Sequence, residues 1–121
     1  MGYRTIAQPV SATYIEKKSE FIAQLQPVQT AEEAVAFLDS VRRAHRKARH
    51  NVYAYLVREQ NTSRYSDDGE PQGTAGMPIL EVLRHENLTD CVCVVTRYFG
   101  GILLGTGGLV RAYTQGAQVA V

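Results

Sequence analysis

The first candidate for chemistry is a glycine-rich run at residues 97–108, which holds five glycines within nine residues. Glycine loses roughly 0.5–1 kcal/mol relative to alanine in regular structure, so the run indicates positive φ angles or a close approach to the backbone. A predicted helix follows, and its bare N-terminal amides, capped by Thr106, suit an anion. The guanidinium of Arg97 can add a bidentate contact to phosphate or carboxylate. The predicted anion-binding residues are Arg97, Gly100, Gly101, Gly105, Thr106, Gly107 and Gly108.

The same run has a purely structural interpretation, which the sequence leaves open. It fits a bulged strand end followed by a tight helix entry, with Arg97 paired to an acidic neighbour. It is not a P-loop, because no Gly-Lys-Ser/Thr follows the glycines.

A second candidate is an acidic loop with three carboxylates in four residues. Its signature residues are Ser66, Asp67, Asp68, Gly69, Glu70, Gly73, Thr74 and Gly76. The carboxylates suit a divalent cation, or acid–base chemistry together with His50. The spacing is not that of an EF-hand, because no glutamate stands at the twelfth position. The alternative is a set of Asx-type turns and salt bridges to the basic end of the preceding helix.

A third candidate is a basic stretch at residues 42–50. On a helix, Arg42, Arg46 and Arg49 would share one face, and Arg43, Lys47 and His50 would share the next. Two such ridges are typical of a surface that follows a nucleic-acid backbone. The small net charge of +1 favours the alternative, in which these residues complement the helix dipole on a solvated face.

Other kinds of site are not indicated. There is no convincing Ser-His-Asp order, zinc-ligand spacing or dinucleotide fingerprint, so no metal or cofactor is predicted and the balance leans away from an enzyme. Cys91 and Cys93 would lie on one face of a strand at a spacing that disfavours a disulfide, which predicts buried thiols in a reducing compartment. No signal peptide or membrane span is recognisable, and the predicted location is the cytoplasm.

The elements that must position these residues are read from hydrophobic periodicity and turn signals. The first are strands at residues 10–17 and 20–28, joined by a tight turn at Lys17-Lys18-Ser19, with Pro27 ending the second. A helix capped by Thr30 and Glu33 includes the basic stretch, and a strand at 51–58 and a long polar loop at 60–76 follow it. A helix from about Pro78 buries Ile79, Leu80, Val82 and Leu83. After a strand at 91–96, a helix from about Gly107 has Leu109, Ala112, Tyr113 and Gly116 along one stripe.

This order predicts one α+β domain of two layers, with a four-stranded mixed sheet covered by helices on one face. The length of 121 residues suits a single core. The strands at 51–58 and 91–96 are apolar on both faces, which places them inside the sheet. The apolar ending at residues 119–121 predicts a truncated form, or a domain cut from a longer protein.

Four stretches together resemble the IMPACT/YigZ family, and the resemblance covers nearly the whole chain. They are Lys17-Lys18-Ser19-Glu20-Phe21-Ile22, Arg49-His50-Asn51-Val52-Tyr53-Ala54-Tyr55, Ser66-Asp67-Asp68-Gly69-Glu70-Pro71 with Gly73-Thr74-Ala75-Gly76, and residues 95–113. The resemblance implies that residues 1–121 are the N-terminal domain of a bacterial member, with a fold like the second domain of ribosomal protein S5. It also implies a further C-terminal ferredoxin-like domain, absent from this chain.

For function, the resemblance implies a non-enzymatic binding or regulatory protein linked to translation or RNA. Eukaryotic members of the family bind a ribosome-associated activator and restrain the kinase that phosphorylates translation initiation factor 2. The expected partners are therefore RNA or a ribosome-associated protein, with no membrane. Two alternatives remain: a site for a small anionic ligand or substrate at the glycine-rich run, and a protein–protein module with an apolar patch on the last helix near Val119 and Val121.

Overall fold

Five strands and three α-helices make up the computed structural model, which describes residues 3–121. In chain order they are β1 (Val10–Glu16), β2 (Ser19–Pro27), α1 (Ala31–Ala44), β3 (His50–Val57), β4 (Thr62–Ser66), α2 (Gly76–His85), β5 (Cys91–Tyr98) and α3 (Gly105–Gln118), with a 3₁₀ turn at Glu59–Asn61. The strands form one sheet in the order β1-β2-β5-β3-β4, and every pair of neighbours is antiparallel.

The α+β class is confirmed, but the prediction of a four-stranded mixed sheet is wrong. The missing strand is β4, which lies within the stretch that was predicted to be a polar loop. Its residues are polar because β4 is a short edge strand that pairs with β3 alone. Strands β3 and β5 lie inside the sheet, as their apolar residues predicted.

Helices cover both faces of the sheet, so the prediction of one covered face is also wrong. Along β5, Cys93 and Val95 belong to the core that includes residues of α2 and α3, whereas Val92 and Val94 belong to the core under α1. Because successive side chains of a strand point to opposite faces, α1 lies across the sheet from α2 and α3. A strand that is apolar on both faces needs this arrangement.

The β1–β2 hairpin turns tightly at Lys17 and Lys18, as predicted. Both residues have positive φ angles, 47° and 68°. Two consecutive residues in this region form the kind of turn whose twist matches that of the paired strands. Strand β2 then runs to Pro27, the residue that was predicted to end it.

Helix α1 begins at the predicted cap but ends earlier than predicted. The hydroxyl of Thr30 accepts a hydrogen bond from the Glu33 amide at 3.1 Å, while the Glu33 carboxylate accepts from the Gln29 amide rather than from Thr30 itself. The helix stops at Ala44, because the chain must turn back to pair His50 with Arg97 of β5.

The prediction of two basic ridges on one helix is therefore wrong. Arg42 and Arg43 lie in the last turn of α1, whereas Arg46, Lys47 and Arg49 lie in the irregular segment before β3. All five side chains are exposed.

The two later helices bury the predicted stripes. In α2 these residues are Ile79, Leu80, Val82 and Leu83, and in α3 they are Leu109, Ala112, Tyr113 and Gly116. Helix α3 begins at Gly105, so Thr106 lies in its first turn and is not the N-cap that was predicted. Cys91 and Cys93 are buried and free, as predicted. Within residues 3–121, none of the helices has both the length and the apolar character needed to cross a membrane.

Candidate functional site

A buried ion pair joins the acidic loop to the glycine-rich run. Arg97, near the end of β5, donates from Nη1 to Oε2 of Glu70 at 2.7 Å. Both side chains are almost fully buried, with 7% and 4% of their surfaces exposed. Each charge needs the other, because an unpaired ion in such surroundings is strongly unfavourable. This ion pair is the one expected from the structural alternative for the glycine-rich run, in which Arg97 pairs with an acidic neighbour.

Tyr113 and His50 complete the surroundings of the Glu70 carboxylate. The Tyr113 hydroxyl, on α3, donates to the same Oε2 at 2.5 Å. Burial, and then the neighbouring Glu70 carboxylate, raise the pKa of Tyr113 well above its usual range. Nε2 of His50 lies 3.5 Å from the other oxygen, Oε1. Nδ1 of His50 is 2.7 Å from the carbonyl oxygen of Asp68, and since a carbonyl accepts only, Nδ1 carries a proton.

Ser19 ties the β1–β2 hairpin to this cluster. Its hydroxyl accepts from Nη2 of Arg97 at 3.3 Å and from the amide of Gly100 at 3.2 Å. The hairpin comes so close that a Cβ on Gly100 would lie 2.1 Å from the backbone of Lys18. Glycine at position 100 is therefore required by packing, and nothing there is open to an anion.

Asp67 holds the start of α2. Its Oδ1 accepts from the amides of Ala75 and Gly76 at 3.1 and 2.8 Å, and its Oδ2 accepts from the amide of Gly73 at 2.9 Å. Helix α2 has no side-chain cap at the residue that precedes it. A carboxylate eight residues upstream therefore supplies the acceptor that a local cap would normally provide.

The remaining polar residues of the acidic loop also bond to the protein itself. Oδ2 of Asp68 accepts from the amide of Asn51 at 2.7 Å, and its own amide donates to the hydroxyl of Ser66. The Thr74 hydroxyl donates to the carbonyl of Pro71 at 2.6 Å. Gly69 turns the chain at a φ of 89°. The contacts support the structural interpretation of this loop, including the predicted salt bridge to the basic end of the helix, where Arg42 lies 3.9 Å from Asp68. The turn contact is made by the Ser66 hydroxyl, and neither Asp67 nor Asp68 forms the Asx turn that was predicted.

A cavity of about 450 Å³ lies between the two loops, above the ion pair. Its polar lining comes from Glu70, Arg97, Arg49 and His50, and part of its rim comes from Gly105 and Thr106. Its apolar lining is Pro71, Phe99, Leu103, Leu104 and Leu109. Of the predicted anion-binding residues, the lining includes Arg97, Gly105 and Thr106 and leaves out Gly100, Gly101, Gly107 and Gly108.

The N-terminus of α3 opens onto this cavity without a cap. Leu104 precedes the helix and makes no side-chain hydrogen bond to it, and the first turn contains no acidic residue. The helix is 14 residues long, so the partial positive charge at its N-terminus is not offset by the described side chains.

The irregular segment before β3 reaches the cavity at its end, where Arg49 and His50 line it. Its His45 Nδ1 lies 2.6 Å from the Tyr98 hydroxyl, and the amide of Arg49 donates to the carbonyl of Arg97 at 3.1 Å. The guanidinium of Arg49 lies over the ring of Phe99, 4.9 Å from its centroid. We call the exposed or half-exposed basic residues from the last turn of α1 to the start of β3 the basic segment. They are Arg42, Arg43, Arg46, Lys47, Arg49 and His50.

Other chemistry has little support within residues 3–121. No group of three or more His, Cys, Asp or Glu residues there is arranged to hold a metal ion. Burial raises the pKa of Cys91 and of Cys93 to about 12, so both thiols are protonated and poorly nucleophilic near neutral pH.

Sequence reasoning missed several members of the site. Ser19 was assigned only to a turn, and Tyr113 only to a core stripe, because neither a lone hydroxyl nor a tyrosine in an apolar stripe signals a distant carboxylate. Phe99 and Leu103 lie in the glycine-rich run, but only Arg97, Thr106 and the glycines of that run were predicted to bind a ligand. The exposed apolar residues inside a loop were the signal that could have identified this lining.

This chain is similar to known proteins over most of its length. The Impact N-terminal domain model matches residues 17–121. The IMPACT family member YvyE of Bacillus subtilis (strain 168) is 46% identical over 113 residues, which cover 93% of this chain and 52% of that protein. The chain spans between 52% and 58% of the length of four bacterial relatives that it matches.

Two solved structures share the fold. One, described as an hypothetical protein, has a TM-score of 0.89 at 45% identity, and covers 94% of this chain and 57% of its own. The other is the two-domain translational regulator Yih1, with a TM-score of 0.54 at 25% identity, covering 93% of this chain and 44% of its own.

Proposed function

The chain belongs to the Impact N-terminal domain family, and on that premise we propose that it is a non-enzymatic binding protein with a role in translation. Its ligand in this proposal is RNA, contacted by the basic segment. In this proposal the protein binds that RNA on the ribosome or next to a ribosome-associated protein. The likeness to the second domain of ribosomal protein S5, the cytoplasmic location and a further C-terminal domain remain parts of the proposal.

One observation carries the proposal: the carboxylates of the acidic loop bond to the protein itself, whereas the cations of the basic segment are exposed. Asp67, Asp68 and Glu70 each accept hydrogen bonds from the protein itself. A carboxylate that already accepts from backbone amides or from a buried arginine is poorly placed to act as a base on a substrate. This use of all three acids favours a binding protein over an enzyme.

The exposed cations supply the surface that such a protein needs. Arg43, Arg46, Lys47 and Arg49 make no salt bridge within residues 3–121, whereas Arg42 is near Asp39 and Asp68 at 3.7 and 3.9 Å. Unpaired surface cations can neutralise phosphates and release counterions, which gives RNA binding a marked dependence on salt. The overall charge of +1 means that any such attraction is local to this segment.

The relatives support the translational part of the proposal. Yih1 is described as a translational regulator, and its fold is shared by 93% of this chain. Rabbit Protein IMPACT is 32% identical over 94 residues, which cover 74% of this chain. Since the chain spans only part of these proteins, the activity of each whole protein is carried over here as a proposal alone.

The test is RNA binding as a function of salt, for the wild type and two matched double variants. Arg46→Ala/Lys47→Ala removes two cations from the basic segment, and Arg64→Ala/Arg84→Ala removes two exposed cations outside it, one on β4 and one on α2. Each phosphate contact to a single strand contributes about −0.7 to the slope of log K against log salt, so the first variant should lower the slope by roughly 1.4. The control should keep the wild-type slope.

Absence of RNA binding at low salt would overturn the RNA part of the proposal. Equal losses in the two double variants would show that the attraction is not local to the basic segment, and would overturn its assignment.

A second candidate is a protein–protein module, and one observation favours it. Leu103 exposes 82% of its surface at the tip of the glycine-rich run, and Ile102 beside it exposes 41%. Val119 and Val121, where a patch was predicted, are also exposed. Co-sedimentation with ribosomes in about 0.5 M salt separates the candidates, because an apolar contact persists where phosphate contacts are screened.

A further inference from the structure

We propose that the cavity between the two loops is a subsite for one nucleoside phosphate, with the phosphate at the N-terminus of α3 and an amino group of the base on Glu70. The proposal rests on the proposed function, because this nucleotide would belong to the bound RNA. It adds a defined pocket to what is otherwise a patch of surface charge.

The floor of the cavity holds a carboxylate oxygen that lacks a donor. Both hydrogen bonds that Glu70 accepts within residues 3–121, from Arg97 and Tyr113, fall on Oε2. Oε1 has His50 Nε2 at 3.5 Å, and in neutral His50 that nitrogen carries no proton, because Nδ1 uses its proton on the Asp68 carbonyl. The Glu70 side chain is 4% exposed and lines the cavity.

Glu70 lines the cavity, and its Oε1 accepts no hydrogen bond from the described residues, so a ligand that donates to it gains a bond to a charged acceptor. The other end of the ion pair has a buried donor that lacks a partner. Arg97 lines the cavity as well, and its buried Nε has no partner among the described residues. A buried polar group without a partner is unfavourable, so the protein leaves this ion pair incompletely satisfied.

The rim of the cavity favours an anion. Gly105 and Thr106 bring the uncapped N-terminus of α3 to the cavity, and no acidic side chain of the first turn competes for its amides. The exposed guanidinium of Arg49 lines the same opening. A phosphate at a helix N-terminus gains both the amide hydrogen bonds and the favourable end of the dipole.

The walls between floor and rim are apolar and suit a planar body. Phe99, Leu104, Leu109 and Pro71 line them. The volume of about 450 Å³ is in the range of pockets for small ligands, roughly 300–1,000 Å³. Inorganic phosphate alone would leave the walls and the Glu70 oxygen unused. Adenine and cytosine carry an exocyclic amino group that a glutamate can accept from.

The ligand requirement is tested with three probes and the wild-type protein, by calorimetry and by NMR shifts. Adenosine 5′-monophosphate should bind with a Kd at or below about 1 mM. Purine riboside 5′-monophosphate, which differs only in lacking the amino group, should bind about tenfold more weakly, as expected for loss of a hydrogen bond to a charged group. Ribose 5-phosphate, which lacks the base, should bind more weakly still.

The phosphate end is tested with Thr106→Asp and a matched control, Gln115→Glu. An aspartate in the first turn of α3 complements the helix dipole, so the fold is kept while the negative charge repels the phosphate. Binding of adenosine 5′-monophosphate should fall at least tenfold in Thr106→Asp. Gln115→Glu adds the same charge to an exposed position about two and a half turns further along α3 and should bind as the wild type does.

A single-stranded adenine decamer distinguishes failure of the subsite from failure of the proposed function. Weaker binding of both the mononucleotide and the decamer by Thr106→Asp supports the subsite. If the wild type binds the decamer but not the mononucleotide, or if Thr106→Asp binds the mononucleotide like the wild type, the subsite is overturned and the proposed function stands. If the mononucleotide binds and no RNA does, the cavity is a site for free nucleotides and the RNA function is overturned.

Discussion

The acidic loop at residues 66–76 and the glycine-rich run at 97–108 meet at one cavity but use their residues in opposite ways. The acidic loop turns its side chains inward: Asp67 accepts from three backbone amides, and Glu70 is held by Arg97 and Tyr113. Beyond Arg97, the glycine-rich run turns outward, and Leu103 at its tip has 82% of its surface in solvent. The acidic loop stabilises the fold through its side chains, and the part of the glycine-rich run that follows Arg97 shapes the opening.

This difference follows from what each loop must connect. The acidic loop leaves an edge strand and starts a buried helix within ten residues, so its turns and the helix amides need acceptors nearby. The glycine-rich run connects β5 to α3 around Gly101 and Gly105, both at positive φ, where a Cβ would meet nothing within 4 Å. These two glycines serve the path of the chain and leave open space beside it.

The strongest test of the contrast is Glu70→Ala, which removes the inward-facing charge. It leaves Arg97 as a buried unpaired cation, and removal of one partner from such a pair destabilises a protein by about 3–5 kcal/mol. Urea unfolding should show a loss of this size, a large part of the 5–15 kcal/mol that is typical of whole domains.

A second substitution separates the cost of leaving Arg97 unpaired from the cost of losing the other contacts of Glu70. Arg97→Met added to Glu70→Ala removes the stranded charge while keeping an unbranched chain between the rings of Phe21 and Phe99. The double variant should recover part of the stability. A loss below about 1 kcal/mol for Glu70→Ala alone would mean that the acidic loop does not stabilise the fold through this pair.

Tyr113→Phe is a smaller perturbation of the same cluster. It removes the hydrogen bond to Glu70 and keeps the ring against Phe21, whose centroid is 5.1 Å away. Loss of a hydrogen bond to a charged group should lower the free energy of unfolding by about 1.5–3 kcal/mol at pH 7, measured by urea denaturation.

The pH dependence of this difference has a definite sign. Since the pKa of Tyr113 is raised in the folded state from its ordinary value of 10.0, its contribution is fully present below pH 10 and is lost as the pH rises further. Wild type and Tyr113→Phe should therefore become more alike in stability above pH 10. A constant difference in the free energy of unfolding between the two proteins from pH 8 to pH 11 would contradict a buried, hydrogen-bonded Tyr113 hydroxyl.

The sequence predicted the elements whose residues repeat with a clear period. The apolar run of β5 and the stripe of α3 need no distant partner to be recognised. Strand β4 was missed because an edge strand is polar, and the end of α1 was misplaced because a distant pairing, His50 with Arg97, ends it. Local periodicity carries no information about either.

Asp67→Ala tests the second stabilising contact of the acidic loop, which is the cap of α2. The carboxylate accepts from Gly73, Ala75 and Gly76 and takes the place of a cap for α2. Loss of a helix cap lowers stability by about 0.5–2 kcal/mol, and we expect the upper half of that range because three amides lose their acceptor. Thermal unfolding followed by circular dichroism measures it, with Asp67→Asn, which keeps one acceptor oxygen, expected to lose less. Equal losses in the two variants would mean that the cap depends on the charge alone.

The candidate site shows the same division between local and distant information. The family resemblance implied that residues 66–76 and 97–108 belong together. It did not imply which contacts join them. Acidic residues in a loop suggested a metal or a base, because sequence shows side-chain chemistry and hides which backbone amides lie within reach. Thr106 was predicted to cap α3, and the helix starts one residue before it.

Leu103→Ser should have the smallest effect on stability of these variants. It tests whether the exposed tip of the glycine-rich run contributes to the fold. A side chain that is 82% exposed contributes little to the core, and surface substitutions of this kind usually change stability by within about 0.5 kcal/mol. Chemical denaturation of this variant beside Glu70→Ala compares the two loops directly. If Leu103→Ser also weakens co-sedimentation with ribosomes at high salt, its exposure serves an apolar partner. If it destabilises the chain by more than about 1 kcal/mol, the glycine-rich run supports the fold as the acidic loop does, and the division between the two loops fails.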